Sequence, residues 1–266
     1  MPELPEVETI ARVLRPELTG RTIQSAHVLW KRTVVMPSPA EFIEQVGGLT
    51  INGVSRRAKY LDIQLADLHL LIHLRMSGDL YLCALPYQTQ AHDRLVLELS
   101  DGQALVFNDT RKFGRVWLTA DAEQVLGNLG PEPLEATFTA QELYARLRQH
   151  GRQLKPLLLD QSFLAGLGNI YTDEALHLAG LHPLRISDTI TEEEATRLYD
   201  AIRAVLLAGI EHNGASIDWV YRGGSFQNYF RVYAREGQPC PVCSTPVQRL
   251  VVGQRGTHIC PQCQVK

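Results

Sequence analysis

Hydrophobic and polar residues follow different rhythms in the two halves of this chain. Near the N-terminus, apolar residues recur at helical spacing within residues 3–18, at Val7, Ile10, Val13 and Leu14. From about residue 20 to 120, short apolar runs alternate with polar positions, and turn signals such as Asp101-Gly102 separate them. The runs are HVLW, RTVVM, YLDIQL, LHLLIHL, LVLEL, ALVFND and RVWLT. This pattern predicts one helix followed by a β-sandwich or a barrel.

The second half of the chain has a helical rhythm, and a break precedes it. The segment 128–133 (NLGPEP) interrupts both patterns and predicts a linker. Residues 139–213 then carry helical patterns, and Thr191-Glu192-Glu193-Glu194 has the sequence of a capping box. The predicted class is α+β, with a β-rich domain at 1–127, a linker at 128–137, a helical domain at 138–237 and a cysteine-containing hairpin at 238–266.

The composition is that of a folded, water-soluble protein. Of the 266 residues, 45% are hydrophobic and 21% are charged, so the chain can form a core and extensive disorder is excluded. No apolar run approaches the roughly 20 residues that cross a bilayer, and no basic segment followed by an apolar stretch marks a secretory signal. We therefore expect a cytoplasmic protein without membrane segments.

Charge is distributed unevenly along the chain. The net charge of −3 argues, by itself, against a protein that binds nucleic acid. From Trp219 to the C-terminus, however, six basic residues accompany a single acidic residue, Glu236. This segment carries +5 and the preceding residues −8, so the C-terminal segment is the part suited to contact phosphate groups.

Four of the five cysteines form the motif C-x2-C-x16-C-x2-C, at Cys240, Cys243, Cys260 and Cys263. Each C-x-x-C turn can aim two thiolates at one ion, which is typical of a tetrahedral zinc site with a hairpin between the pairs. The alternatives are two disulfides, which need an oxidising compartment, or a redox C-x-x-C, which needs only one pair. Because four cysteines leave no open coordination position, we expect one structural Zn²⁺ ion.

The N-terminus offers a nucleophile. Pro2 follows the initiator Met1, which is normally removed before proline, and the Pro2 secondary amine then becomes the α-amino group. Such amines titrate at about 7.7–8.0, so a neutral fraction can attack an aldehyde or the anomeric carbon of a sugar and form an iminium. Glu3 and Glu6 lie nearby, and Glu3 can transfer protons. The simpler alternative is that Pro2 and the two glutamates only favour a helix start.

Apolar and basic residues also occupy predicted turns. Met76 lies in the segment LRMSG, and Arg111 and Phe113 lie in DTRKFG. At exposed turn tips such side chains can wedge into a base stack, whereas the alternative is that they belong to the core. The basic cluster RRAK ends at Lys59, and the segment GLGN ends at Asn169 and offers backbone N–H groups to a phosphate.

Six segments, taken in order, resemble the formamidopyrimidine-DNA glycosylase family (Fpg/MutM type). They are MPELPEVET at 1–9, RAKYL at 57–61, HLRMSG at 73–78, RKFG at 111–114, GNIY at 168–171 and the four-cysteine motif. The first and last are specific by themselves, and together the six span the chain from Met1 to Cys263. The resemblance implies an N-terminal β-sandwich with a flanking helix, a helical domain with a helix–two-turns–helix element, and a zinc-finger β-hairpin.

The resemblance also implies an activity, that of a bifunctional DNA glycosylase and AP lyase of base excision repair that removes formamidopyrimidines and 8-oxoguanine. In this family Pro2 matches the nucleophile and Glu3 matches the carboxylate that transfers protons. Lys59 matches a lysine near the lesion phosphates. Arg255 matches a phosphate-contacting arginine that can assist δ-elimination.

Further matches concern the DNA, and the implied partner is a damaged double strand bound by a monomer. Three residues match the trio that fills the gap left by a flipped nucleotide: Met76, Arg111 and Phe113. The other residues expected at the DNA are His92, Lys155, Asn169 and Arg255, with His73 at most a support of the Met76 turn. Glu6 and Glu174 are expected to support the substrate site.

Two features bear on the lesion. Leu4 and the matched trio favour the purine-directed branch over Nei-type enzymes, which begin PEGPE and act on oxidised pyrimidines. The connector Ala215–Ala234 is shorter than is typical where a loop covers the everted base, so the ranking of 8-oxoguanine and formamidopyrimidines stays open. The alternatives are a Nei-like glycosylase, a non-catalytic protein that binds lesion DNA, and an unrelated hydrolase in which the zinc hairpin only holds the fold together.

Overall fold

A computed structural model describes residues 1–216 and 223–266, which divide into two units. The N-terminal unit comprises Met1–Asn128 with Ser216–Gly224, and the C-terminal unit comprises Leu129–Ala215 with Ser225–Lys266. The linker at 128–137 and a separate hairpin domain at 238–266 remain predictions.

The N-terminal unit contains two β-sheets flanked by helices. Its elements are α1 (Leu4–Leu18), β1 (Ile23–Val28), β2 (Val34–Met36), α2 (Pro39–Val46), β3 (Ile51–Arg57), β4 (Tyr60–Leu65), β5 (Leu68–His73), β6 (Gly78–Ala84), β7 (Asp93–Leu99), β8 (Gln103–Asp109), β9 (Arg115–Thr119) and α3 (Glu123–Leu126). One sheet has the strand order β1-β7-β8-β6, and the other has the order β2-β9-β5-β4-β3. The predicted N-terminal helix and β-sandwich are therefore confirmed.

One hydrophobic core joins both sheets to α1 and α2. Successive side chains of strand β8 point to opposite faces of its sheet. Leu105 and Phe107 belong to this main core, whereas Ala104 and Val106 lie in a smaller cluster. The predicted runs YLDIQL and RVWLT coincide with β4 and β9. Helix α2 and strands β3 and β6 were not predicted, because few of their residues are buried and their alternation is correspondingly weak.

Helix α1 begins where its sequence favours a start and buries one face. Val7, Ile10 and Leu14 are buried in the main core, in agreement with their helical spacing. Val13, which the same pattern included, is instead 62% exposed. The apolar stripe is therefore narrower than the sequence pattern predicted.

The C-terminal unit combines helices with one β-hairpin. Its elements are α4 (Ala140–Arg148), α5 (Leu154–Leu158), α6 (Asn169–Ala179), α7 (Glu192–Glu211), β10 (Gln248–Val252) and β11 (Arg255–Ile259). The predicted helix at PLLLDQSFL is shorter than expected, because Asp160 accepts a hydrogen bond from the backbone N–H of Ser162 and starts a turn. The hairpin between the cysteine pairs is confirmed, since β10 and β11 pair antiparallel.

Helix α7 begins at the capping box that the sequence predicted. The backbone N–H of Glu194 donates to Thr191 Oγ1 at 3.2 Å, and the backbone N–H of Thr191 donates to Glu194 Oε2 at 2.9 Å. Near its other end, Gly209 allows α6 to approach closely, since a Cβ at this position would lie 2.5 Å from the ring of Tyr171. Among the residues that the structure describes, no helix is long and apolar enough to cross a membrane.

Candidate functional site

The N-terminal residues lie at the start of α1, inside the N-terminal unit. Glu3 is the N-cap residue, and its backbone N–H donates to Glu6 Oε2 at 2.7 Å. Pro2, Glu3 and Glu6 are buried, while Met1 is 47% exposed. The Glu6 carboxylate therefore holds the first turn of α1, and Glu3 is the acidic residue adjacent to Pro2.

Lys59 and His73 lie at the same end of the neighbouring strands β4 and β5. Lys59 is buried in the turn before β4, and His73 is the register partner of Tyr60. Burial, together with the positive charges of Arg75 and Lys59, lowers the pKa of His73 to about 3. The neutral imidazole accepts a hydrogen bond at Nδ1 from the backbone N–H of Arg75, at 3.0 Å. His73 thus supports the turn that carries Met76.

Two turns of the N-terminal unit present the matched trio to solvent. The first turn (74–78) joins β5 to β6 and carries Met76, which is 38% exposed. The second turn (110–114) joins β8 to β9 and carries Phe113, which is 46% exposed. The Arg111 guanidinium lies 4.9 Å from the Phe113 ring centroid. We call Met76, Arg111 and Phe113 the wedge, since they form an exposed apolar and cationic tip.

His92 lies beside these turns, at the start of β7. Its side chain is exposed, with Nδ1 3.4 Å from Arg94 Nη2. Its backbone carbonyl accepts a hydrogen bond from the backbone N–H of Asp109 at 2.8 Å. The fold therefore brings His92 to the end of the sheet where the second turn begins.

The four cysteines of the motif converge in the C-terminal unit. Their ligand atoms all lie within 4.8 Å of one another. The Sγ–Sγ distances are 3.4 Å for Cys243–Cys260, 3.5 Å for Cys243–Cys263 and 3.9 Å for Cys240–Cys263. A tetrahedral ion with metal–sulfur bonds of about 2.3 Å sets sulfur–sulfur distances of about 3.8 Å, whereas a disulfide needs about 2.05 Å. The cluster therefore fits a structural metal ion and excludes the disulfide alternative.

Lys155 and Asn169 hold the hairpin that carries Arg255. The Lys155 side chain has no exposed surface, and its Nζ donates to Asp173 Oδ1 at 2.6 Å and to Thr257 Oγ1 at 2.8 Å. Asn169 Nδ2 donates to the carbonyl of Gly256 at 3.0 Å. Arg255 itself is exposed at the first position of β11.

The direct DNA contact expected of Lys155 stays a prediction. In the structure its ammonium group is fully buried, pairs with Asp173 and contacts the hairpin beside Arg255.

Glu174 lies on α6 and binds the last part of the connector 215–234. Its carboxylate accepts hydrogen bonds from the backbone N–H groups of Arg231, Val232 and Tyr233, at 2.8 to 3.0 Å. Burial raises the pKa of Glu174, and these hydrogen bonds act in the opposite direction. Of the connector 215–234, residues 217–222 lie outside the described residues, and with them part of the segment expected to cover an everted base.

Two buried aspartates were missed by sequence reasoning. Asp109 ends β8 and contacts both turns of the wedge, and Asp173 pairs with Lys155. The sequence feature that could have identified Asp109 is its position directly before a turn rich in basic residues. Asp173 lies four positions after Asn169, which puts both residues on one face of α6.

Family models match three consecutive parts of the chain. Residues 1–116 match the formamidopyrimidine-DNA glycosylase N-terminal domain, residues 129–220 match the formamidopyrimidine-DNA glycosylase H2TH domain, and residues 237–265 match the zinc finger found in FPG and IleRS.

Full-length similarity extends to curated relatives and solved structures. The formamidopyrimidine-DNA glycosylase of Chloroflexus aggregans is 47% identical, over 100% of this chain and 99% of the relative. The Lactococcus lactis Fpg (MutM) bound to DNA containing N7-benzyl-Fapy-dG has a TM-score of 0.94 at 37% identity, over the whole of both chains. MutM bound to DNA containing carbocyclic 8-oxo-G has a TM-score of 0.93 at 38% identity, also over the whole of both chains.

Proposed function

The chain belongs to the formamidopyrimidine-DNA glycosylase family, and from this premise we propose which of its residues carry out the family's reaction. The protein is a bifunctional DNA glycosylase and AP lyase of base excision repair, which removes oxidised purines such as formamidopyrimidines and 8-oxoguanine.

Pro2 is the nucleophile once Met1 has been removed. Its neutral secondary amine attacks C1′ of the damaged nucleotide, the glycosidic bond breaks, and the base leaves with a proton. The C1′–O4′ bond then breaks, with a proton delivered to O4′, which opens the sugar ring and gives the iminium. Loss of a C2′ proton eliminates the 3′ phosphate, and loss of a C4′ proton from the conjugated product eliminates the 5′ phosphate. Glu3, adjacent to Pro2 and buried, is the group that delivers and accepts protons.

Two basic residues support the eliminations, and each contributes positive charge. Lys59 lies near the lesion phosphates and stabilises the departing phosphate. Arg255, exposed on the hairpin, contacts a phosphate and assists δ-elimination. Glu6 supports the site by holding the first turn of α1 through the Glu3 N–H.

The wedge compensates for the cost of base flipping. An active site cannot reach a base that is stacked inside a duplex. Everting the nucleotide breaks this stacking, at a cost of roughly a few kcal/mol. Met76, Arg111 and Phe113 enter the vacated space, as apolar and cationic turn tips do in other proteins that open DNA. His92 contacts the backbone beside them, and His73 maintains the first turn through its hydrogen bond with Arg75.

The C-terminal unit binds the duplex through its hairpin and α6. Asn169, at the start of α6, and Arg255 contact phosphates, and Lys155 positions both through its bonds to the hairpin. The ion held by the four cysteines is Zn²⁺, which would stabilise the hairpin without entering the chemistry. Glu174 supports the lesion site indirectly, by fixing the chain at 231–233.

The protein acts as a monomer on damaged double-stranded DNA in the bacterial cytoplasm. Its relatives come from bacteria, whose DNA lies in the cytoplasm. The remaining choice among lesions depends on the connector around residues 217–222.

The observation that carries these assignments is the buried Pro2-Glu3 pair at the start of α1, in a chain similar over its full length to glycosylases. We expect borohydride to trap the protein on duplexes that contain a formamidopyrimidine, an 8-oxoguanine or an abasic site. Mass spectrometry of the adduct should locate the bond at Pro2 and show that Met1 is absent.

A pair of variants separates the nucleophile from the helix start. Pro2→Gly should reduce trapping and turnover strongly while lesion-DNA affinity stays within about twofold, because Pro2 forms the covalent bond and few of the binding contacts. Pro5→Ala, in the first turn of the same helix, should trap normally. Unchanged trapping in Pro2→Gly would remove Pro2 as nucleophile, and lesion binding without any adduct in the unaltered protein would favour the non-catalytic alternative.

A further inference from the structure

Asp109 is a fully buried carboxylate at the end of β8, immediately before the second turn. Its Oδ2 accepts a hydrogen bond from the backbone N–H of Gly114 at 2.7 Å. Its Oδ1 accepts from the backbone N–H of Arg111 at 3.1 Å. One side chain therefore holds both ends of the loop that carries Arg111 and Phe113.

The same carboxylate also reaches the first turn. Ser77 Oγ, in that turn, donates a hydrogen bond to Asp109 Oδ1. The hydroxyl oxygen in its turn accepts from the backbone N–H of Arg111 at 3.1 Å. Asp109, Ser77 and the Arg111 amide thus form a closed set of hydrogen bonds that joins the two turns.

Both turns have backbone geometry that needs such support. Arg75 and Lys112 adopt the left-handed conformation, with φ of +57° and +60°, which is strained and which non-glycine residues rarely adopt. Gly114 has no room for a side chain, since a Cβ there would lie 2.3 Å from the ring of Phe107. The turns are therefore held in one conformation by hydrogen bonds that converge on Asp109 and by close packing against Phe107.

Strand register explains why one residue can serve both turns. Gly78, the first residue of β6, pairs with Asp109, the last residue of β8. The end of the first turn and the start of the second therefore lie side by side. The carboxylate lies at this junction, where each turn emerges from the sheet.

We propose that Asp109 is the positioning residue of the wedge: it fixes the two turns relative to each other, so that Met76, Arg111 and Phe113 enter the base stack as one preorganised unit. The inference rests on the proposed function of the wedge. Asp109 does not touch the reacting atoms. It acts by ordering the two turns in the free protein, so that they lose less conformational entropy when the wedge enters the gap in the base stack.

This role predicts a selective defect in base eversion. Asp109→Asn keeps the volume but replaces one acceptor oxygen with an NH₂ group, which then faces an N–H or O–H donor. We expect single-turnover excision of a damaged base from a duplex to slow about tenfold, the effect of losing one hydrogen bond to a charged group. Cleavage of a single-stranded abasic oligonucleotide, which needs no eversion, should stay within about twofold.

Two further variants control for a general loss of stability. Ser77→Ala removes only the link between the turns and should give the same selective defect, smaller in size, even where Asp109→Asn folds poorly. Asp62→Asn removes a buried carboxylate of β4 that pairs with His69, away from both turns, and should leave the ratio of the two rates unchanged. Thermal unfolding of all three variants identifies any that are globally destabilised.

A double-mutant cycle with Phe113→Ala tests whether Asp109 acts through the wedge. If it does, Asp109→Asn should add less than about threefold to the duplex defect of Phe113→Ala, because the two substitutions remove the same function. Full additivity, an equal loss on both substrates, or no loss on either would overturn the proposal.

One measurement on the free protein separates this inference from the proposed function. Hydrogen exchange at the Arg111 or the Gly114 amide should accelerate about tenfold in Asp109→Asn, because the amide that faces the new NH₂ group loses its acceptor. Unchanged exchange would overturn the inference even in an active enzyme. An unaltered protein that shows no activity on either DNA would instead overturn the proposed function, with the exchange result still deciding whether Asp109 holds the turns.

Discussion

At the scale of single residues, burial decides what a titratable side chain can do. The family resemblance led us to expect Lys155 at the DNA and His73 as a support of the Met76 turn. The structure gives Lys155 a fully buried ion pair and makes His73 a neutral acceptor for the Arg75 N–H. Arg255, of the same basic type as Lys155, is exposed and remains available to a phosphate.

The lowered pKa of His73 predicts a pH-dependent stability. In the folded protein this pKa is about 3, below its ordinary value of 6.5, so the folded state binds fewer protons than the unfolded chain between these values. The His73 contribution is therefore complete above pH 6.5 and is lost as the pH falls toward 3. The difference in unfolding free energy between the unaltered protein and His73→Gln should shrink by about 2 kcal/mol from pH 7 to pH 5.

Chemical denaturation at the two pH values measures this difference. Comparing the two proteins at each pH cancels the titration of all other groups. A difference that stays constant from pH 7 to pH 5 would show that His73 can be protonated in the folded protein.

At the scale of elements, the ends of helices and strands carry most of the site. Pro2 and Glu3 precede α1, Asn169 begins α6, and Arg255 begins β11. Side chains and backbone groups at such ends are less committed to the regular hydrogen-bond pattern than those in the middle. The element ends are therefore where this fold can present groups to a ligand.

The capping box of α7 allows the contribution of one helix end to the free energy of unfolding to be measured. Thr191→Ala removes the oxygen that accepts the Glu194 N–H and should lower the free energy of unfolding by about 1 kcal/mol. Thr196→Ala, on an exposed position of the same helix, is the matched control and should be neutral or slightly stabilising, since alanine has the higher helix propensity. Equal effects of the two substitutions, measured by denaturant unfolding, would show that the cap contributes nothing.

At the scale of the whole molecule, the net charge does not indicate that this protein binds DNA. The chain carries −3 in total, but the segment from Trp219 onward carries +5. Phosphate contacts depend on local charge and release counterions where they form, so affinity for duplex DNA should fall with salt despite the acidic average. The metal site lies in this positive segment and is linked to Arg255 through the hairpin.

Removal of the metal should therefore impair DNA binding before it affects the N-terminal unit. Chelation of the ion held by the four cysteines should weaken duplex affinity by at least about tenfold, because hairpin stability and Arg255 placement depend on it. Binding measured by fluorescence anisotropy, with metal content verified, checks this. Cys83→Ser, which changes the cysteine outside the cluster, should bind normally, and a verified metal-free protein with full affinity would contradict the prediction.

Much of the fold was predictable because its signals are local. The alternation in YLDIQL and RVWLT gave β4 and β9, and the spacing of four cysteines gave the metal cluster. The weakly patterned β3 and β6 were missed, because strands with few buried residues owe their conformation to their neighbours.

The sequence by itself determined the family, the succession of a β-rich half, a helical half and a cysteine-containing hairpin, and the candidate residues at the N-terminus and in the cysteine motif. Only the tertiary structure decided which distant residues meet. Ser77 lies 32 positions from Asp109, and Lys155 lies 102 positions from Thr257. Periodicity reports whether each position faces a core or solvent, whereas such partners depend on strand register and helix packing. For that reason the buried partners of these residues, Asp109 in the N-terminal unit and Asp173 in the C-terminal unit, became visible only in the folded chain.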